Sequence, residues 1–262
     1  ENFDILKKIP KFDVLKNFKF IKDISTKDHQ IIFSREDYNE ESLLTCFRYY
    51  IEAQKRINLS KGNFSFFKTH NARAKINSNY YTDESTTAGF IYISRDPRDV
   101  VVSYSNYLNQ NYDEVIDFLI KGQLRRKSKN DDESLPELLL NWKNHYNSWK
   151  KFDQVPRMFI KYEDLKKDLE GEIVKILNFF KDNFNIGIEN KNLRIKNLVQ
   201  CTSFNNLKEK EDSIGFRENS QNKGLFFFRE GKTSQWKSKL SEAQVNNIVK
   251  NFENELKELK YI

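Results

Sequence analysis

Length, composition and charge narrow the class of protein. The chain has 262 residues, enough for one domain with a sizeable core, and its 22 Phe and 12 Tyr supply bulky core side chains. No run approaches the roughly 18 apolar residues of a membrane span, and the two cysteines, Cys46 and Cys201, match neither a disulfide framework nor a metal site. The net charge of +7 favours anionic partners such as phosphates, sulfates or polyanions. With this cysteine usage we expect a reducing compartment, the cytoplasm.

The first half of the chain predicts helices and two short strands. Residues 1–39 show no clear pattern, and we predict irregular structure there. From about Glu41 apolar residues recur every three or four positions, which predicts a helix. "FSFF" (64–67) and "GFIYIS" (89–94) predict short buried strands. Helices are predicted next in "RDVVVSYSNYL", in "YDEVIDFLIKG" and in "LPELLLNWKNHYNSWKK", where Pro136 suits the first turn.

The second half continues this alternation. Residues 157–161 predict a third strand, "EIVKILNFF" predicts a helix, and "SEAQVNNIVKNFENELKEL" predicts a closing helix with Ser241 and Gln244 as its capping box. Strands separated by helices indicate an α/β fold, with a parallel sheet flanked by helices on both faces. We predict a single domain over residues 1–262.

Polar side chains follow the predicted strands. His70, Arg95 and Tyr162 each come directly after a strand, and in parallel sheets ligands bind beyond the carboxyl ends of the strands. Ser103 lies in the helix that follows Arg95, and a guanidinium beside a hydroxyl suits a phosphate. The alternative is that the aspartates of "RDPRD" pair with its arginines and merely cap the helix.

Five segments follow one another in the order found in a known enzyme family. "FFKTHNA" is similar to the segment that carries the family's catalytic base, and "YISRDPRDVVVSYSNY" to its 3′-phosphate-binding segment. "FIKYEDLKKD", "QCTSFNNLK" and "FFFREGKTSQWKSKLSEAQ" resemble its strand-to-turn segment, its adenine-side loop and its C-terminal phosphate loop. Together they resemble the sulfotransferases that use 3′-phosphoadenosine 5′-phosphosulfate (PAPS). The resemblance implies a P-loop NTPase-like fold, PAPS as donor, 3′,5′-adenosine diphosphate (PAP) as product, and no metal.

The resemblance also implies a role for individual residues. His70 becomes the general base that accepts a proton from the acceptor, and Lys68 stabilises the charge that develops on the sulfuryl group. Without the resemblance a structural role explains His70 better than catalysis does, and a place in the core explains Phe204 as well as a place at the adenine. The residues implied in donor binding are Arg95 and Ser103 at the 3′-phosphate, Tyr162, Thr202 and Phe204 around the adenine, and Arg229 and Gly231 in the C-terminal loop.

Two departures from the family pattern stand out. Glu230 occupies the middle of a motif that normally reads Arg-Lys-Gly, which places a carboxylate where a cation is usual. A loop like Pro-Lys-Ser-Gly-Thr-Thr-Trp, which cradles the reactive end of the donor, is not present in the sequence. Losing three or four hydrogen bonds to a charged group would cost roughly 5–10 kcal/mol. We therefore expect the chain to be an N-terminally incomplete part of a larger enzyme, inactive as a fragment.

The leading hypothesis is sulfuryl transfer from PAPS to the hydroxyl or amine of a small-molecule or glycan acceptor. No nucleic-acid or membrane partner is expected, and the sequence identifies neither the acceptor nor the oligomeric state. Two alternatives stay open. One is a P-loop kinase-like phosphotransferase, and the other, which Glu230 favours, is a nucleotide- or polyanion-binding module without turnover.

Overall fold

The described residues form two compact units. A computed structural model describes residues 10–33, 39–57, 64–125, 134–187, 189–215 and 226–262, with the backbone alone at 123–125. Within these ranges the N-terminal unit comprises residues 10–88 and 121–155, and the C-terminal unit comprises 89–120 and 156–262. No helix of the described ranges combines the length and apolarity that a membrane crossing requires.

Helices and short strands alternate along the chain. The strands are β1 (Lys75–Ile76), β2 (Asn79–Tyr80), β3 (Phe90–Ser94), β4 (Gln123–Arg125), β5 (Glu137–Leu140) and β6 (Arg157–Lys161). A 3-10 helix covers Leu15–Asp23. The α-helices are α1 (Thr26–Phe33), α2 (Glu40–Lys55), α3 (Pro97–Leu108), α4 (Tyr112–Lys121), α5 (Trp142–Lys150), α6 (Tyr162–Lys167), α7 (Leu169–Phe184), α8 (Lys191–Cys201), α9 (Phe204–Ile214), α10 (Trp236–Lys239) and α11 (Glu242–Glu258).

An aromatic cluster forms the core of the N-terminal unit. The predicted helix α2 is present and begins at a capping box between Asn39 and Ser42. It carries Tyr50, which is fully buried. Four aromatic rings lie within 6.5 Å of the Tyr50 ring centroid, namely those of Phe12, Phe18, Phe47 and Tyr81. This packing explains why a chain of modest hydrophobicity holds a core, because each ring buries a large apolar area.

Two predictions near the N-terminus were wrong. Residues 15–33 are helical, not irregular, and they bury Phe18, Ile21 and Ile32 against the core. "FSFF" is not a buried strand, since Phe64 and Phe66 are 40% and 51% exposed. Within residues 64–70 the only pairing is an isolated bridge between Lys68 and Lys11. Phe64 and Phe66 therefore lie at the surface, whereas Phe67 packs edge-on against the buried Phe12.

The helix predicted from Leu135 begins later. Residues 137–140 form β5, and α5 starts at Trp142 with Asn141 as its N-cap. The backbone N–H of Ala72 donates to the carbonyl of Leu138, and the N–H of Leu138 donates to the Asn71 side chain. The bond between Leu138 and Asn71 links residues 67 apart in sequence, so helical periodicity in "LPELLL" could not reveal it.

The parallel strand pair of the C-terminal unit confirms the α/β fold. β3 and β6 run parallel, with Phe90 opposite Arg157 and Ser94 opposite Lys161. Helix α3 follows β3 after the Asp96 N-cap, and it carries Pro97 in its first turn. Because the two strands end at the same level, the next residues along each, Arg95 and Tyr162, emerge together. The predicted α4, α7 and capped α11 are also present.

Candidate functional site

Arg95 and Tyr162 lie in contact beyond the ends of the two parallel strands. The Arg95 guanidinium carbon is 4.6 Å from the centre of the Tyr162 ring, within cation–π range. Its Nη2 donates to the carbonyl of Lys232 at 3.1 Å. Its Nε is buried and has no hydrogen-bond partner among the described residues. A buried, unsatisfied donor on a cation is what an anionic ligand would satisfy.

Phe204 and Gly231 also lie in contact, next to the Lys232 carbonyl that Arg95 holds. Gly231 has a positive φ of 59°, and a Cβ at this position would overlap the Phe204 ring. Only glycine allows this approach without strain. The Lys166 ammonium lies 5.4 Å from the centre of the Phe204 ring. Arg95, Tyr162, Phe204 and Gly231 therefore belong to one connected cluster, the Arg95 cluster.

Three other residues predicted to bind the donor are not tied to the Arg95 cluster by the contacts that they make within the described ranges. The Thr202 hydroxyl donates to the Leu198 carbonyl at 2.6 Å, as a side chain at a helix end often does. Ser103 is exposed on α3. Arg229 pairs with Glu230 at 2.9 Å, so the unusual carboxylate is engaged with its neighbour. Within the described part of the chain, neither the Thr202 hydroxyl bond nor the Arg229 ion pair involves a member of the Arg95 cluster.

The C-terminal loop is tied to α3 by Asp99. This carboxylate is buried and accepts hydrogen bonds from the backbone N–H of Ser234 at 2.6 Å and of Trp236 at 3.1 Å. The Trp236 ring covers the Arg98 guanidinium at 4.0 Å. Arg98 in turn is paired with Asp96. The capping alternative for "RDPRD" is therefore correct for Arg98 and Asp96. Asp99 instead binds the loop through Ser234 and Trp236, and Arg95 reaches the same loop at the Lys232 carbonyl.

His70 lies in the N-terminal unit, beside a carboxylate. Its Nδ1 is 3.1 Å from Oε1 of Glu137, the first residue of β5. The Glu137 side chain is 6% exposed and the His70 side chain 30%. Lys68 is partly buried, and its backbone N–H donates to the Pro10 carbonyl. No regular strand connects Lys68 and His70, so strand alternation does not place them on one face.

A second buried carboxylate lies close to this segment. Asp13 accepts hydrogen bonds from the Thr69 hydroxyl at 2.8 Å and from the Tyr81 hydroxyl at 3.0 Å. Burial raises the pKa of Asp13 to about 6, since the charged form loses its hydration. Burial likewise lowers the pKa of His145 to about 4. The neutral His145 ring places Nε2 3.1 Å from the His70 carbonyl, to which it donates.

Sequence reasoning missed two buried carboxylates, Glu137, which pairs with His70, and Asp13, which pairs with the neighbouring Thr69. Glu137 was assigned to the first turn of a helix, and Asp13 to an irregular stretch. One signal was present, because "LPELLL" puts a single carboxylate in an apolar run, and a buried carboxylate is nearly always paired. Its partner, 67 positions away, was not visible in the sequence.

A family model and curated relatives all match this chain to sulfotransferases. The family described as "Sulfotransferase domain" matches residues 6–260. Cytosolic sulfotransferase 15 of Arabidopsis thaliana is 25% identical, and the match covers 95% of this chain and 70% of that protein. Cytosolic sulfotransferase 14 of the same plant is 26% identical, with 86% of this chain and 63% of that protein covered. The chain thus spans about two thirds of the length of these relatives.

Solved structures share the fold. Mouse sulfotransferase SULT7A1, in complex with PAP, superposes with a TM-score of 0.55 at 21% identity, covering 78% of this chain and 68% of that chain. Retinol dehydratase, in complex with androsterone and PAP, superposes with a TM-score of 0.57 at 22% identity. The match covers 83% of this chain and 57% of that chain. At this level of identity the likeness establishes the α/β fold with its parallel sheet.

Proposed function

Because the chain belongs to the sulfotransferase domain family, we propose that it takes part in transferring a sulfuryl group from PAPS to a hydroxyl or amine. The acceptor is a small molecule, in keeping with relatives named amine sulfotransferase and flavonol 3-sulfotransferase. The compartment is the cytoplasm, following the names of the two plant relatives.

The observation that carries the proposal is the buried Nε of Arg95, which has no hydrogen-bond partner among the described residues. A guanidinium with an open donor suits the 3′-phosphate that distinguishes PAPS and PAP from other adenine nucleotides. Phe204 and Tyr162 offer aromatic surfaces for the adenine, and Gly231 lets the backbone approach the ligand. Ser103, Thr202 and Arg229 complete the proposed set.

The bound donor supplies an electrophilic sulfuryl group. The residues of the chain supply the rest: His70 accepts the proton of the attacking hydroxyl or amine, and the Lys68 ammonium stabilises developing negative charge. A positioned base of this kind contributes about 10²–10⁴-fold in rate.

Binding of PAP to the chain tests the donor assignment. We expect Arg95→Ala to weaken PAP binding about 10- to 100-fold, since a hydrogen bond to a charged group is worth about 1.5–3 kcal/mol. Adenosine 5′-monophosphate lacks the 3′-phosphate, and its binding should change little. Isothermal titration calorimetry measures both, with Arg194→Ala, an exposed arginine on α8, as control. Equal PAP affinity for wild type and Arg95→Ala would refute the assignment.

The Arg229–Glu230 ion pair favours a second candidate, a nucleotide- or polyanion-binding module without turnover. An arginine neutralised by its neighbour is a weaker phosphate ligand, and the net charge of +7 favours polyanions in any case. Sulfate transfer from labelled PAPS to a panel of phenols, alcohols and amines, measured on the protein in its natural full length, separates the two. Binding without transfer, together with salt-sensitive retention on heparin, would support the module.

A further inference from the structure

We propose that Glu137 positions the His70 imidazole, holding a proton on Nδ1 and leaving Nε2 as the atom that accepts a proton from the acceptor. The inference rests on the proposed role of His70 as the base. It adds a residue whose function is to fix the tautomer and the orientation of that base. Glu137 itself need not contact the donor or the acceptor.

The hydrogen bond defines which ring nitrogen carries the proton. A carboxylate oxygen accepts hydrogen bonds, so the nitrogen 3.1 Å from Oε1 of Glu137 must be the donor. In the neutral imidazole the other nitrogen, Nε2, then has a free lone pair. No residue in the described ranges is hydrogen-bonded to that nitrogen. The ring is partly exposed while the carboxylate is buried, so Nε2 is the end within reach of a substrate.

The backbone on both sides of this pair is held in register. Leu138, next to Glu137, donates its N–H to the Asn71 side chain at 2.7 Å and accepts from the Ala72 N–H at 2.8 Å. On the other side of His70, the Thr69 hydroxyl donates to the buried Asp13. The carboxylate and the imidazole therefore belong to two segments that are bonded to each other directly beside the pair.

Helix α5 fixes the same segment from another direction. The neutral His145 ring donates to the carbonyl of His70, and the Trp149 indole N–H donates to the carbonyl of Asn71 at 3.0 Å. With the main chain held at these two carbonyls, the His70 imidazole can leave Glu137 only by rotating about its own side-chain bonds. A group that orients a base by such a bond also stabilises the imidazolium that forms when the base takes its proton.

A purely structural role for Glu137 is the competing explanation. Glu137 also has a charged neighbour in the Lys11 ammonium, 3.9 Å from the same Oε1. That distance is longer than a hydrogen bond, whereas the contact with His70 is not. A role in packing or in the ion pair alone predicts no effect on the tautomer of His70.

The tautomer is measured directly on the chain by two-bond ¹H–¹⁵N NMR at a pH where the histidines are neutral. The chain has three histidines, and the His70→Gln variant assigns the resonances. We expect wild-type His70 to be protonated at Nδ1, and Glu137→Gln to lose that preference. A wild-type ring protonated at Nε2 would overturn the inference, and this result needs no variant to fold.

Kinetics on the natural full-length protein provide the second readout. We expect Glu137→Gln to lower kcat about 10- to 100-fold, within the 10²–10⁴-fold contribution of a positioned base, with KM changed less than threefold. Glu41→Gln, at an exposed position of α2, is the matched control and should leave kcat unchanged. An unchanged kcat in Glu137→Gln, with His70→Gln inactive, would overturn the positioning role while leaving the base assignment intact. An active His70→Gln would instead refute the proposed base, and the inference with it.

Discussion

Two buried titratable residues of the N-terminal unit oppose each other in their response to pH. Burial raises the pKa of Asp13 from 3.8 to about 6, so between these values the folded state keeps a proton that the unfolded state has released. Stability from this group is present at low pH and is lost as the pH rises through 6. Burial lowers the pKa of His145 from 6.5 to about 4, so its contribution is present above pH 6.5 and is lost as the pH falls through 4.

Replacing Asp13 should remove its contribution to the pH dependence of stability and leave that of His145. We expect the free energy of unfolding of Asp13→Asn, relative to wild type, to increase between pH 4 and pH 6.5. The gain is at most about 3 kcal/mol, since a shift of one pKa unit corresponds to about 1.4 kcal/mol. Urea unfolding at both pH values measures it, with the exposed Asp23→Asn as control. If the free energy of unfolding changes with pH in the same way for wild type and Asp13→Asn, then Asp13 has an ordinary pKa.

At the scale of elements, Asp99 links α3 to α10 and the loop before it. Both of its oxygens accept backbone N–H groups, at Ser234 and Trp236. In Asp99→Asn an amide N–H₂ would face one of these donors, and a buried donor without an acceptor costs about 1–3 kcal/mol. We expect a loss of stability of that size in urea unfolding. Asp182→Asn, at an exposed position of α7, should be neutral, and equal stability of the two variants would contradict the linking role.

The elements also show what sequence could and could not predict. Helices α3, α4, α7 and α11 and strands β3 and β6 follow from apolar periodicity and from caps that lie within a few residues. β5 does not, because it is held by an antiparallel pairing with β4 and by the bonds of Leu138 to Asn71 and Ala72, none of which apolar periodicity in "LPELLL" reveals. At the site, a motif pointed to Arg95, Phe204 and Gly231. Glu137 has no local signature, and only the folded chain brings it to His70.

At the scale of the whole molecule, each unit contains two stretches of the described chain. The N-terminal unit uses residues on both sides of 89–120, and that inserted stretch belongs to the C-terminal unit. Each unit therefore needs both of its stretches to be complete. The prediction of a single domain over residues 1–262 implies, in addition, that the two units unfold together.

We therefore expect one cooperative unfolding transition. In differential scanning calorimetry the calorimetric and van't Hoff enthalpies should agree within error. PAP in excess should shift the whole transition upward and not only a part of it, because a ligand of the native state stabilises the entire cooperative unit. Two resolved transitions, with PAP moving one of them, would mean that the chain consists of two domains.

The hydrogen bonds that hold the main chain around His70 determine whether this segment becomes ordered during folding or only when a substrate binds. The carbonyls of His70 and Asn71 accept hydrogen bonds from side chains of α5, so the fold itself supplies these contacts. Conformational entropy of this segment is accordingly lost once, during folding, and not again at each encounter with a substrate. The proposed proton acceptor is thus preorganised, since its main chain is held by the fold itself.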